Sequence, residues 1–424
     1  MAASSHLLLI DAFGGPQAEE LAVSLADVGV LRTITLWKPG GNDRRIHALR
    51  RLGPVDTVAR PDHVIEAGLA LAVDHEVRGV VSYSEDVSFY AGVLANLLGV
   101  PANPADALIA VHRKEIQRPR LAAAGLASPQ LRFIRSADDL AACAELRFPV
   151  ILKPATGVSS FCVVRVADPA DLAAAYATVK KRYEDHPVSN EMVGLFLVEE
   201  EISGCRWHAD PRLDHRVSVE SVLHEGDICH SEITDKLPLV APFREQGHLT
   251  PTTLGSDDAA RVRTVAEQAV VALGLTTGAV HTELILTEEG PVIVEANGRI
   301  GGSVYGLLKR SHGYDMALAI AQTALGRRPD PPGPVQRRAA MIRPQPPVGR
   351  FRVAGVDDTI LSKAFACADW GQADKAPGDL VDSDVGSTAA LARYLVTAET
   401  VDALFARADE VTALVHQAFQ LVPA

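Results

Sequence analysis

A chain of 424 residues, 47% of them hydrophobic, is too long for one core and has the apolar content for two or three. A net charge of −12 without a long basic run argues against a nucleic-acid binder and points to small-molecule partners. The five cysteines (Cys143, Cys162, Cys205, Cys229, Cys367) show neither CxxC nor Cys/His zinc spacing and read as reduced thiols of a cytoplasmic protein. No apolar run approaches the ~20 residues of a membrane span. The N-terminal segment reads as a first strand rather than a signal peptide.

The first hundred residues alternate apolar runs with helical spacing. Strands are expected near residues 6–10, 31–37, 56–58 and 79–82, and helices near 17–28, 63–75 and 87–98. That rhythm predicts an open parallel α/β sheet. The turn from Asp11 to Gln17 holds Gly14 and Gly15 but no GxGxxG, so it reads as a tight turn and argues against a dinucleotide-dependent oxidoreductase. A helix is expected at 112–125, a mixed segment extends to about Leu249, and a second helix spans 257–273. A Pro/Gly-rich run from Gly326 to Pro334 precedes short strands and a long amphipathic helix at 400–419. The composition divides the chain near 105 and 328.

Two segments carry chemistry on residue pattern alone. Phe148 to Val164 reads as a buried strand bearing Lys153, a small-residue loop, and another strand. A lysine fixed on such a strand is a cation for ATP phosphates, and Gly157 to Ser160, with Ser159, offer backbone and hydroxyl donors to the same oxygens. The alternative is a lysine that merely snorkels beside a hairpin. From His281 to Gly302, two β-branched runs flank a turn at Glu288, Glu289 and Gly290, which puts Glu283 and Glu295 on adjacent antiparallel strands. Two carboxylates that close need a hard divalent cation. Asn297, two residues on and therefore on the same face, adds an oxygen ligand, and Arg299 continues the alternation towards a phosphate oxygen. The competing reading is a half-exposed hairpin with a solvated charged face.

The order Glu283, Glu295, Asn297, Arg299, together with the Lys153–Pro154 strand and its glycine loop, resembles the ATP-grasp superfamily, and two further segments, Phe243–Pro251 and Ser84–Asp86, make the L-amino-acid ligases its most similar subfamily. The resemblance implies an N-terminal open parallel α/β domain (1–105), an ATP-grasp domain (106–328) with a lid subdomain at about 125–200, and a small C-terminal α+β lobe (329–424). It implies ATP with two Mg²⁺ ions, Mn²⁺ as a substitute, small carboxylate and amine substrates, and a fold that allows a homodimer. Lys114 matches the first phosphate lysine. The run from Leu195 to Gly204 resembles the adenine hinge, with Glu200 and Ile202 on the base and Glu199 or Glu201 near the ribose; Arg206 stands where a second acid is usual.

Phe243 to Pro251 resembles the ligases' Glu-x-x-His segment and places Glu245 and His248 in the substrate pocket. Ser84, Glu85 and Asp86 resemble a segment whose acid faces the first amino acid. An α-amino acid needs an anion for its ammonium group, which Glu85 and Glu245 supply, and donors for its carboxylate, which Arg299 and the amides of Gly301 and Gly302 supply. Arg299, His248 and Glu245 are the candidate catalytic residues. His281 is expected only to pack against the sheet. The function implied is a carboxylate–amine ligase working through an acyl phosphate and releasing ADP and phosphate. A bicarbonate-activating carboxylase, a purine-pathway ATP-grasp enzyme and a non-catalytic nucleotide-binding module stand as alternatives.

Overall fold

The computed structural model describes residues 6–37, 43–155, 160–185, 194–302 and 304–424. The first four strands, β1 (Leu7–Asp11), β2 (Val30–Leu36), β3 (Val55–Val58) and β4 (Gly79–Ser82), form a parallel sheet in the order β3-β2-β1-β4. They alternate with α1 (Ala18–Ser24), α2 (Asp43–Leu49), α3 (His63–Asp74) and α4 (Glu85–Leu98). Leu7 to Ile10 are fully buried because both faces of β1 are covered, which is why this strand reads as a continuous apolar run. The short helix α2 escapes a periodicity reading because it has only seven residues.

One covering layer comes from far along the chain. Leu7, Leu9 and Tyr83 share a core with Tyr305, Met316 and Ile320 of α9 (Val304–His312) and α10 (Met316–Ala324). A Cβ at Gly79 would lie 2.5 Å from the Ala324 carbonyl oxygen, so β4 and α10 meet only because this residue is glycine.

The helix expected at 112–125 is two helices, α5 (Ala105–His112) and α6 (Lys114–Ala123), broken at Arg113, whose backbone is extended (φ −121°, ψ 99°). The break places Lys114 in the first turn of α6. Next come four antiparallel-paired strands in the order β5-β8-β6-β7: β5 (Leu131–Ile134), β6 (Val150–Pro154), β7 (Val164–Val166) and β8 (Phe196–Glu200). Helix α7 (Leu172–Glu184) packs on them, and its Arg182 reaches Asp384 near the C-terminus at 2.8 Å.

The largest sheet has eight strands in the order β13-β12-β9-β10-β11-β14-β18-β16. They are β9 (Arg216–His224), β10 (Asp227–Lys236), β11 (Gly247–Thr250), β12 (Gly278–Leu286), β13 (Pro291–Asn297), β14 (Arg338–Ile342), β16 (Trp370–Ala373) and β18 (Ala392–Ala398), every neighbouring pair antiparallel. Helix α8 (Ser256–Leu273) lays Ala259, Val262, Ala266, Ala269, Val270 and Leu273 on one face, the i, i+3, i+4 spacing of an amphipathic helix, and ends at Gly274 in the left-handed conformation (φ 73°). The C-terminal segment therefore adds three strands to this sheet. It adds also a smaller sheet, β17-β15-β19 (Leu380–Asp382, Arg350–Val356, Phe419–Pro423), with α11 (Asp358–Ala366) and α12 (Val401–Ala418). Among the described residues no helix is long and apolar enough to cross a membrane.

Candidate active site

Strands β12 and β13 turn over at Thr287–Gly290, where Thr287 and Gly290 exchange backbone hydrogen bonds at 3.0 and 3.3 Å. Glu283 and Glu295 fall directly opposite each other, with an irregularity in the ladder just after Glu283. Asn297 shares their face and donates from Nδ2 to Glu295 Oε1 at 3.2 Å, so its carbonyl oxygen is not used in that bond. Burial alone would raise both acids. Lys236 and His281 outweigh it and hold Glu283 well below the usual carboxylate range; Lys114 does the same for Glu295, which is lowered to about 2. Among the described residues no group of three or more His, Cys, Asp and Glu side chains is placed to hold a metal ion. What is present is two ionised carboxylates and an amide, a donor set that suits Mg²⁺ shared with substrate phosphates rather than caged by protein alone.

Cations surround this face. Lys114 Nζ lies 3.0 Å from Glu295. Lys153, on β6, pairs with Glu199 of β8, which Arg118 of α6 also meets at 3.1 Å. Burial lowers the Lys153 pKa, and Glu199 only partly restores it. Glu199 is thus paired with two cations. Glu201 pairs with Arg165 at 2.9 Å, and Glu200 accepts the Arg147 N–H at 2.9 Å. Ile202 follows the end of β8, half-buried. Of the covering loop, Ser160 has a left-handed backbone (φ 58°), while Gly157 and Ser159 lie outside the described residues.

His281 is more than a packing residue. Its Nδ1 lies 2.5 Å from Glu220 and its Nε2 3.0 Å from Glu283. Burial would depress the ring, but the carboxylates Glu220 and Glu283 raise it to about 9, so it is a cation at neutral pH. On the other side of Glu283, Lys236 Nζ stands 3.5 Å away and 3.1 Å from Glu245. Glu245 Oε2 lies 3.7 Å from His248 Nε2. Burial pushes His248 down to about 3 despite Glu245, leaving it neutral.

Glu85, at the start of α4, and Arg299, just beyond β13, form a short ion pair with each other; His112 Nδ1 is 3.6 Å from the same carboxylate. The two groups expected to hold opposite ends of a substrate are therefore partners in this structure. Gly301 also departs from its expected part: its N–H donates to Glu220 at 3.2 Å and so is not free for a substrate carboxylate, whereas no Cβ placed on Gly302 would meet a neighbour.

Arg118, Glu220 and Lys236 were not among the residues expected from sequence. Glu220 and Lys236 do carry a signal. Glu220 is a charge at an alternate position of a strand whose other face is largely apolar (Val217, Val219, Leu223), and Lys236 ends a strand whose last six residues are all buried.

Residues 146–306 match the family model described as ATP-grasp domain. The alanine–anticapsin ligase of Bacillus amyloliquefaciens is 28% identical over 217 residues, 49% of this chain and 46% of that protein. The chain thus spans about half the length of this relative. The dapdiamide A synthase of Enterobacter agglomerans is 24% identical over 350 residues, covering 76% of this chain and 77% of that one. The crystal structure of an L-amino acid ligase from Bacillus licheniformis shares the fold along all of both chains, with a TM-score of 0.76 at 18% identity. Residues 146–306 thus match an ATP-grasp domain, and the chain as a whole has the fold of that L-amino acid ligase.

Proposed function

We propose that the protein is an ATP-dependent ligase that joins an amino acid, or a related small carboxylate, to an amine through an acyl phosphate, releasing ADP and phosphate. The observation that carries this reading is the direct opposition of Glu283 and Glu295, with Lys114 against Glu295 and Lys236 linking Glu283 to Glu245. One line of side chains then joins a metal–phosphate face to a candidate substrate acid. The relatives named for joining amino acids support the same class. Residues 1–105, 106–328 and 329–424 are read as the N-terminal domain, the ATP-grasp body with its lid at about 125–200, and the C-terminal lobe.

Glu283, Glu295 and Asn297 would hold Mg²⁺, two ions in the full complex with Mn²⁺ as a substitute, which screens the repulsion between a carboxylate and the γ-phosphate. Lys114, Lys153 and Arg299 neutralise the phosphoryl oxygens, with Gly157, Ser159 and Ser160 covering them. Glu200 and Ile202 take the adenine edge, with Glu199 or Glu201 as the acid near the ribose. The substrate carboxylate oxygen bonds to the γ-phosphorus as the bond to the ADP oxygen breaks. A neutral amine then attacks the acyl carbon and phosphate leaves; Glu245 or a bound water accepts the amine's proton. Glu85, Glu245 and His248 orient the substrates, and Arg299 with the Gly302 amide receives the amino-acid carboxylate once Glu85 turns to the ammonium group.

The test is a phosphate-release screen over pairs of amino acids and small carboxylates, with mass spectrometry of the product. ADP and phosphate in step with a condensed product are expected. AMP and pyrophosphate as stoichiometric products would sink the mechanism, and ADP release that depends on bicarbonate alone would replace it with carboxylase chemistry.

A further inference from the structure

Glu220 touches neither of the opposed acids, yet it is fully buried in the middle of β9 and its carboxylate is divided between two tasks. Oε1 lies 2.5 Å from His281 Nδ1 and accepts from Ser218 Oγ at 3.2 Å; Oε2 accepts the Gly301 N–H at 3.2 Å. An imidazole with an acceptor at each nitrogen donates from both, so the ring is fixed in plane and position between Glu220 and Glu283. Register places the four residues in neighbouring rows of one sheet face, with Glu220 opposite His281 and Glu283 opposite Glu295. Gly301 lies against the same ring: a Cβ there would be 2.7 Å from His281 Nδ1. Ring, glycine backbone and Glu283 can occupy their places only together.

We infer that Glu220 is a positioning residue which, through His281 and the Gly301 amide, sets both the direction of the metal-binding Glu283 and the height of the Gly301–Gly302 segment over the site. The inference rests on the metal–nucleotide reading above. A carboxylate is needed because one group must accept from an imidazole and from an amide at once. Glutamine offers a single acceptor oxygen and must turn an N–H towards either the ring or the glycine. Buried partners that orient a metal ligand typically carry about ten- to a hundredfold in metal affinity or activity.

The experiment compares wild type with Glu220→Gln and Glu220→Ala in three readouts. The first is ADP affinity with and without Mn²⁺ by calorimetry. In Glu220→Gln, Mn²⁺-dependent ADP binding should weaken by about tenfold or more, with metal-free ADP binding unchanged. The second is hydrogen exchange of the Gly301 amide in the nucleotide-free protein, which should be protected in wild type and accelerate at least about tenfold in Glu220→Ala as its acceptor is lost. The third is kcat against KM for ATP, where kcat should carry most of the loss. Wild-type ADP binding indifferent to Mn²⁺ overturns the metal–nucleotide reading itself. Mn²⁺ linkage that is present in wild type and unchanged in Glu220→Gln overturns the role of Glu220, as does a Gly301 amide that exchanges equally in wild type and Glu220→Ala.

Discussion

Lys114 Nζ sits 3.0 Å from a carboxylate oxygen of Glu295, so a residue at the start of α6 neutralises one at the end of β13. The break at Arg113 makes this meeting possible by turning the first residue of α6 onto the sheet face. Glu295→Gln removes the charge that both Lys114 and a metal ion would use, at nearly constant volume. Turnover should fall by more than about a hundredfold, with thermal unfolding close to wild type. Asn297→Ala deletes a neutral ligand that water partly replaces, and should cost less than Glu295→Gln in parallel kcat measurements.

Lys236 is 3% exposed and stands between Glu245 and Glu283. Lys236→Met leaves the half-buried Glu245 and Glu283 without their shared cation, and losing such a charge-assisted contact costs about 1.5–3 kcal/mol. Urea unfolding should show that loss, and Lys236→Met/Glu245→Gln should recover part of it. A stable single variant would mean that the two acids have other adequate partners.

Glu85 and Glu245 test the substrate pocket. Glu85→Gln and Glu245→Gln should each raise the KM for the amino acid by roughly ten- to a hundredfold while leaving ATP affinity unchanged. His248→Ala should let ADP release run ahead of condensed product. Variants that bind the amino acid as wild type does would remove these residues from the pocket.

Asp235 supplies a pH dependence away from the metal face. It is fully buried, accepts from Thr252 Oγ1 at 2.6 Å and from the Thr253 N–H at 2.7 Å, and burial lifts it to about 7 against those bonds. Its folded pKa is above the unfolded value of about 3.9, so the native state holds the proton more tightly. The contribution to stability is fully present below about pH 4 and is lost as pH rises through 7. In Asp235→Asn the amide donates to Thr252 Oγ1 and its oxygen accepts from Thr253, and that pH term disappears. Because His208 and His281 titrate in overlapping windows, the quantity to measure is the difference between wild type and Asp235→Asn from pH 5 to 8. It should change by up to about 1.4 kcal/mol per pH unit, in favour of the variant as pH rises. A flat difference would show that Asp235 is ionised throughout.

The parts of the fold legible in the sequence are those with local causes. The parallel N-terminal sheet, α8, α12 and the β12–β13 hairpin each follow from periodicity, a turn or a cap, and the opposition of Glu283 to Glu295 follows from strand alternation around Glu288 to Gly290. What the sequence hid is set by long-range packing. Helix α5 is too evenly apolar to show a period, and the shared core of β1 with α10 joins residues some three hundred positions apart. Side-chain pairings stayed hidden where a residue meets a partner far along the chain. Glu199 goes to Lys153 and Arg118, Gly301 to Glu220, and Glu85 to Arg299, and none of these pairings is visible from residue type or spacing.

His248 lies on β11, which is hydrogen-bonded on one side to β10, with Lys236 opposite, and on the other to β14, with Met341 opposite. Although composition marks a seam near 328, a chain cut there would lose β14 and bare the outer edge of β11 along its full length. Such an edge pairs with whatever strand it meets. The shortened protein should therefore aggregate rather than survive as a smaller fold, and the last hundred residues are as much a part of the eight-stranded sheet as the strands that carry its opposed acids.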